Sequence, residues 1–168
     1  IEPMIQKPNG RELMVGMLRD KVFGPTVVFG PGGAGVEAQT SDRAVALPPL
    51  NSVLVADMLA STRTTTRLGE FRNMPPVDMA AVETVLLRVS SMVCELPWIS
   101  NMDINPLIVD ENGAVAVDAR IAIERRAHDA ARAGVLEQAA HFLLDLLLEV
   151  RIVEVHGAPP GTRGWRRP

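Results

Sequence analysis

Between Asp103 and Arg120 the chain reads Asp-Ile-Asn-Pro-Leu-Ile-Val-Asp-Glu-Asn-Gly-Ala-Val-Ala-Val-Asp-Ala-Arg. Two apolar, β-branched runs flank an Asn-Gly pair, the strongest short-range signal for a β-hairpin. With Asn112 and Gly113 as a two-residue turn, Glu111 faces Ala114, Ile108 faces Val117 and Leu107 faces Asp118. Side chains alternate along a strand. Ile104, Ile108, Val115 and Val117 therefore share an apolar face, and Asp103, Asn105, Asp118 and Arg120 share the other. Asn105 and Asp118 become diagonal cross-strand neighbours, within reach of a common ion. A three-residue loop would move the register by one residue and undo this pattern. The plain alternative is a hairpin that serves only folding, with Asp103 and Asp118 as ordinary surface carboxylates.

The segments before the hairpin read as strands first and helices second. Ile1–Ile5 is short and apolar, an edge strand or a linker, and Pro8-Asn9-Gly10 turns the chain. From Arg11 to Asp20, Leu13, Val15 and Met17 alternate with Met14, Gly16 and Leu18, which predicts a strand covered on both faces. Phe23-Gly24-Pro25 turns into a second strand over Thr26–Phe29, antiparallel to the first. The glycine-rich run Gly30-Pro31-Gly32-Gly33-Ala34-Gly35 follows. Such a backbone can approach a ligand closely, and successive N–H groups can cradle an anion. Its spacing matches neither a P-loop nor a dinucleotide fingerprint, so a plain tight connection is the competing reading. Val36–Gln39 and Arg43–Leu47 are candidate short strands. Asn51 or Ser52 caps a helix through Leu59, with a further helical piece after Thr64-Thr65-Thr66. Asp78 caps a helix over Met79–Leu96 whose apolar stripe is Val82, Val85, Leu86, Val89, Val93 and Leu96.

Beyond Ile123 the character changes. Residues 124–156 form a charged, Ala-rich stretch followed by a helical run over Gly134–Val150, and 157–168 is a Pro-, Gly- and Arg-rich tail expected to be disordered. Glu137, His141, Asp145 and Glu149 recur every four residues on that helix, a solvated stripe unless a second ligand-bearing helix faces it. The stretch is either a divergent extension or an out-of-frame translation.

Composition narrows the function classes. A net charge of -3 over 168 residues gives no electrostatic case for a nucleic-acid partner. One cysteine, Cys94, excludes an internal disulfide framework and a multi-cysteine zinc site, and fits a reducing, cytoplasmic compartment. No apolar run reaches the roughly 18 residues of a membrane span, and no signal peptide opens the chain. Beginning on Ile1, the sequence is expected to be a piece of a longer polypeptide.

Taken in order, several motifs resemble one family. They are Gly10-Arg11-Glu12, Val15-Gly16-Met17-Leu18-Arg19-Asp20, Phe23-Gly24-Pro25, Phe29-Gly30-Pro31-Gly32-Gly33 with Val36-Glu37, Leu47-Pro48-Pro49-Leu50, and Asp103-Ile104-Asn105-Pro106-Leu107 with Asp118-Ala119-Arg120. Together, over residues 1–123, they look like the second half of an ATP-grasp domain of the NDP-forming acyl-CoA synthetase type, which includes the succinyl-CoA synthetase beta subunit. The resemblance implies an α+β fold: a mostly antiparallel sheet with helices packed on one face, here with an extra C-terminal helix. It implies that ATP or another NTP sits between two lobes, and that Asn105 and Asp118 hold Mg²⁺ with Asp103 behind them. Glu2 and Met4 match the strand that holds adenine, Gly32 and Gly33 lie in the glycine loop beside the nucleotide, and Arg11, Glu12 and Arg43 help shape the site. The implied function is support of phosphoryl transfer coupled to acyl-CoA formation or breakdown. The first ATP-grasp lobe and the CoA-binding domain or subunit are expected as partners. No catalytic residue is assigned, because none of His128, His141 or His156 sits in a matching motif. Held from one side only, the ligands lose most of the positioning that catalysis needs, so the isolated chain is expected to be inactive. The alternative is a non-catalytic, nucleotide-sensing or interaction module of a multidomain acetyltransferase. The Gly134–Val150 helix would then, or in either case, cover open surface or form a homodimer.

Overall fold

The computed structural model describes residues 7–33, 41–70 and 73–123, and the backbone of 155–156. The elements run β1 (Arg11–Asp20), β2 (Gly24–Pro31), β3 (Ala44–Ala46), α1 (Ser52–Ala60), α2 (Met79–Glu95), β4 (Ile99–Asp110), β5 (Gly113–Ala116), β6 (Ala119–Ile123) and β7 (Val155–His156). A short 3₁₀ turn, Thr64–Arg67, lies between the helices. The strands form one sheet in the order β3-β2-β1-β4-β6-β7, with β5 also paired to β4. All pairings are antiparallel except β6 with β7. This is the α+β arrangement the sequence predicts, with the first strand on its expected bounds. The expected strand at Val36–Gln39, the expected helix at Gly134–Val150 and the tail lie outside the described residues.

The core lies between the sheet and the two helices. Leu13, Val15 and Met17 of β1, Val27 and Phe29 of β2, and Met102, Ile104, Leu107 and Val109 of β4 meet Val55, Met58 and Leu59 of α1 and the whole expected stripe of α2. Full burial of such side chains contributes about 1.5–3 kcal/mol each. Both predicted caps form. Asn51 accepts from the Leu54 N–H at 2.9 Å and Asp78 from the Ala81 N–H at 3.1 Å, satisfying donors that the first helical turn leaves without partners. Among the described residues no helix is long and apolar enough to cross a membrane.

The hairpin departs from expectation in two ways. Its turn is Glu111-Asn112 rather than Asn112-Gly113, so Asp110 pairs with Gly113 and Ile108 with Val115. The cause is local. The Asp110 carboxylate accepts from the Asn112 N–H at 2.9 Å and folds the turn over itself, while Gly113, at φ +121°, begins the return strand. The displacement amounts to two residues along the return strand, so side-chain parity survives.

The second departure is in the faces. Met102 and Ile104 face the core, but so do Leu107 and Val109; on the return strand the buried residues are Ala114, Ala116, Ala119 and Ile121. Alternation skips at Asn105–Pro106 and again at Val117–Asp118. The pairing with β1 shifts at the same level, between Leu13 and Val15. An extra residue at such an irregularity inverts which side chains face inward beyond it. Ile108, Val115 and Val117 are consequently half-buried on the opposite side rather than continuous with Ile104.

Candidate functional site

The break in the hairpin is where the polar residues gather. The Asn105 N–H donates to the Asp118 carbonyl at 3.0 Å and the Val117 N–H to the Pro106 carbonyl at 3.0 Å. Asn105 and Asp118 are thereby direct cross-strand partners, one step closer than the diagonal pair the sequence suggests. Asp103 pairs with Arg120 one step further along. These residues occupy the face of the sheet that, among the described residues, carries no helix.

The glycine run folds back onto this face. The Gly32 N–H donates to the Glu12 carbonyl at 3.0 Å, and the Gly33 N–H donates to Asn105 Oδ1 at 2.8 Å. Gly33 has φ +87°, and a Cβ there would stand 1.6 Å from Glu12 Oε2. A Cβ on Gly32 would stand 2.1 Å from the Leu13 carbonyl oxygen. The loop therefore lies flat on β1, and only glycine permits that approach. Both amides are taken by protein acceptors. At these two positions the loop orients the Asn105 side chain instead of presenting free N–H groups to an anion. An amide oxygen has two lone pairs, so Asn105 Oδ1 keeps one for a further partner.

Two arginines face the same volume. Arg120 meets Asp118 Oδ2 at 3.3 Å. Arg43 passes over β2 at Gly30, where an added Cβ would lie 3.0 Å from its Cγ. Burial pushes the Asp103 carboxyl above its ordinary value, the charges of Arg120 and Arg43 pull it back, and Asp118 adds a smaller upward push. A raised folded pKa means that ionisation of Asp103 opposes folding. Stability is fully present below the ordinary value of 3.8 and is lost as pH rises through the folded pKa. Asp103→Asn, in EDTA, should thus melt higher than the parent at neutral pH, and the difference should close in acid. Parallel melting curves across that range would contradict the burial argument.

The sequence-predicted residues separate accordingly. Asn105, Asp118, Gly32 and Gly33 come together; Glu2 and Met4 lie outside the described residues. Glu12 and Arg43 are on the site face. Arg11 is not: it is buried on the helix side and donates to the carbonyls of Asn9, Arg67, Gly69 and Pro75 at 2.6–3.3 Å. Its role is to hold the connection between α1 and α2, because an odd position on β1 faces the core. Arg43, which the resemblance implied for the site, reaches it by crossing over Gly30. Arg120 stands on the face where side-chain alternation puts it, two residues from Asp118 and opposite Asp103. Among the described residues no group of three or more His, Cys, Asp or Glu side chains could hold a metal. What the break offers is two hard oxygen donors, one amide and one carboxylate.

Comparison with known proteins bears on this geometry directly. The ATP-grasp domain family matches residues 1–123. The chain is 38% identical over 114 residues to the beta subunit of the ADP-forming acetate–CoA ligase I of Pyrococcus furiosus, covering 68% of this chain and 49% of that protein. It is 35% identical to the ADP-forming acetate–CoA ligase I of Archaeoglobus fulgidus, covering 71% of this chain and 18% of that one. It thus spans half or less of the length of these relatives. Among solved structures it resembles the dinucleotide-forming acetyl-coenzyme A synthetase 1 of Ca. Korarchaeum cryptofilum in complex with coenzyme A and Mg-AMPPCP. The TM-score is 0.67 at 39% identity, over 70% of this chain and 55% of that one. Strands β1 to β6, the glycine loop on β1 and the broken hairpin belong to the matched residues, and by that match the chain is a member of the ATP-grasp domain family.

Proposed function

We propose that this chain is the Mg²⁺- and nucleotide-binding lobe of an NDP-forming acyl-CoA synthetase, supporting phosphoryl transfer coupled to acyl-CoA formation or breakdown. The observation that carries this is the pairing of Asn105 and Asp118 across the hairpin break, with Asn105 held by the Gly33 N–H at 2.8 Å. Mg²⁺ prefers hard oxygen ligands and takes only one or two from protein, the rest being water and phosphate. The donor set fits that demand. When bound, the cation neutralises charge on the phosphates during transfer. The chain's own contribution is positioning. Gly33 fixes the Asn105 oxygen, Asp118 supplies the negative charge, and Asp103 adds a second carboxylate behind it.

Similarity to a ligase several times longer, and to one ligase's beta subunit, supports placing the remaining parts elsewhere. The first ATP-grasp lobe closes over ATP or another NTP, with adenine held near Glu2 and Met4, and a CoA-binding domain or subunit brings the acyl chemistry. The setting is cytoplasmic. Residues 124–156 are proposed as an extension, helical ahead of β7 and able to support a homodimer, and 157–168 as its tail.

Isothermal titration of Mg·ATP into the 168-residue chain tests the reading. Asn105→Ala and Asp118→Ala should each weaken binding roughly 10-fold or more. No binding by the parent, or parental affinity in both variants, would remove the site. Addition of the first lobe and the CoA-binding partner should then give acyl-CoA-dependent turnover.

A further inference from the structure

The two arginines of the site have different partners. Arg120 Nη2 contacts Asp118 Oδ2, and its side chain is 69% exposed. Arg43 is exposed and makes no hydrogen bond or ion pair with any described residue, yet its charge acts on Asp103. Around the hairpin break two carboxylates, Asp103 and Asp118, lie with two guanidinium groups, Arg43 and Arg120, while Glu12 stands against the glycine loop. Of these, Asp118 is paired with Arg120. A bare divalent cation reaching Asp118 must displace Arg120 and leave that guanidinium group beside it without its partner. A cation arriving with a polyphosphate brings the negative charge that the guanidinium group needs. Guanidinium groups suit phosphate well, because their planar donors match its oxygens.

We propose that Arg120 is a placeholder for the divalent cation: it neutralises Asp118 in the metal-free lobe and passes to the polyphosphate of the nucleotide when metal takes the carboxylate, with Arg43 as the second receiving group. This deepens the nucleotide-lobe reading and rests on it. The consequence is a lobe that takes metal and polyphosphate together and resists metal alone. Exchange requires no strand movement, since Arg120 lies at the surface and only its side chain must swing.

The test is a pair of titrations with opposite expected signs. Free Mn²⁺ is followed by electron paramagnetic resonance on the full chain, first alone and then with ATP or inorganic tripolyphosphate. In Arg120→Gln the affinity for Mn²⁺ alone should rise roughly three- to tenfold, because a positive charge beside the carboxylate is gone. Affinity for Mn·ATP and Mn·tripolyphosphate should fall roughly tenfold, because a phosphate partner is gone. Arg43→Gln should show the second effect. Arg120→Lys should restore parental behaviour for Mn²⁺ alone. A parent that binds neither Mn²⁺ nor Mn·ATP would overturn the nucleotide-lobe reading and this one with it. A parent that binds both, with Arg120→Gln moving the two affinities in the same direction or neither, would overturn only the exchange.

Discussion

Truncating Asp110 to alanine is expected to lower the unfolding free energy by about 3 kcal/mol, the lower end of the loss when one partner of a buried ion pair is removed. The Lys7 and Asp110 side chains are 13% and 7% exposed and bonded to each other. Lys7 also donates to the Gly113 carbonyl at 3.3 Å, and the Asp110 carbonyl accepts the Asp78 N–H at 2.9 Å. One residue thus joins the segment entering β1, the hairpin turn and the start of α2. In Asp110→Ala the Lys7 ammonium stays buried with only a carbonyl for company. Lys7→Met/Asp110→Leu removes both charges and should recover most of the loss. The pH dependence has a definite sign. Burial pushes the Asp110 carboxyl up, but the hydrogen bond and charge of Lys7 and the Asn112 N–H outweigh it, leaving the folded pKa below the ordinary 3.8. Its contribution is therefore present above that value and lost as pH falls through the folded pKa. The Asp42 carboxylate, lowered chiefly by the Thr64 hydroxyl, has the same sign. Urea unfolding at neutral and acid pH checks both points. An Asp110→Ala midpoint equal to the parent's would show that water screens the pair, and an acid slope unchanged in the double variant would assign the slope elsewhere.

What could be read in advance followed from short-range chemistry. The β1 bounds, both helix caps and the α2 stripe each depend on residues within one or two turns of each other, and they stand as read. Asn105 and Asp118 were legible as a pair because parity along a hairpin is local. Their separation was not, because the turn position was decided by the Asp110 carboxylate binding Asn112, which competes with the ordinary Asn-Gly preference. The flip of Ile108, Val115 and Val117 was hidden for a different reason. It arises from an irregularity shared by β4, the return strand and β1, and no single strand announces it. Arg11 shows the same limit. Its charge suggests a ligand contact, yet four backbone carbonyls, three of them more than fifty residues away, satisfy it inside the fold.

The glycine loop yields the other large effect, and it separates two residues that look alike in sequence. Gly32→Ala should cost the fold about 3 kcal/mol, at the upper end for forcing extra volume into packed structure. Its Cβ would meet the Leu13 carbonyl oxygen, carbon and nitrogen at 2.1, 2.3 and 2.8 Å, all backbone, so no rotamer change relieves it. The loop must lift from β1, which breaks the Gly32 N–H bond to the Glu12 carbonyl and withdraws the Gly33 N–H from Asn105. Gly33→Ala meets the end of the Glu12 side chain, which can move aside. What remains is the left-handed backbone, worth about 1–2 kcal/mol for an L-residue. Pairing each variant with Glu12→Ala distinguishes the two mechanisms. The second substitution should restore part of the stability lost in Gly33→Ala and none of that lost in Gly32→Ala. Both glycine variants should also bind Mg·ATP more weakly than their loss of stability alone explains, measured at a temperature where they remain folded, because Asn105 loses the hydrogen bond that orients its oxygen. If Glu12→Ala rescued Gly32→Ala as well, the loop would not lie on the β1 backbone, and the placement of Asn105 beside it would fall with that contact.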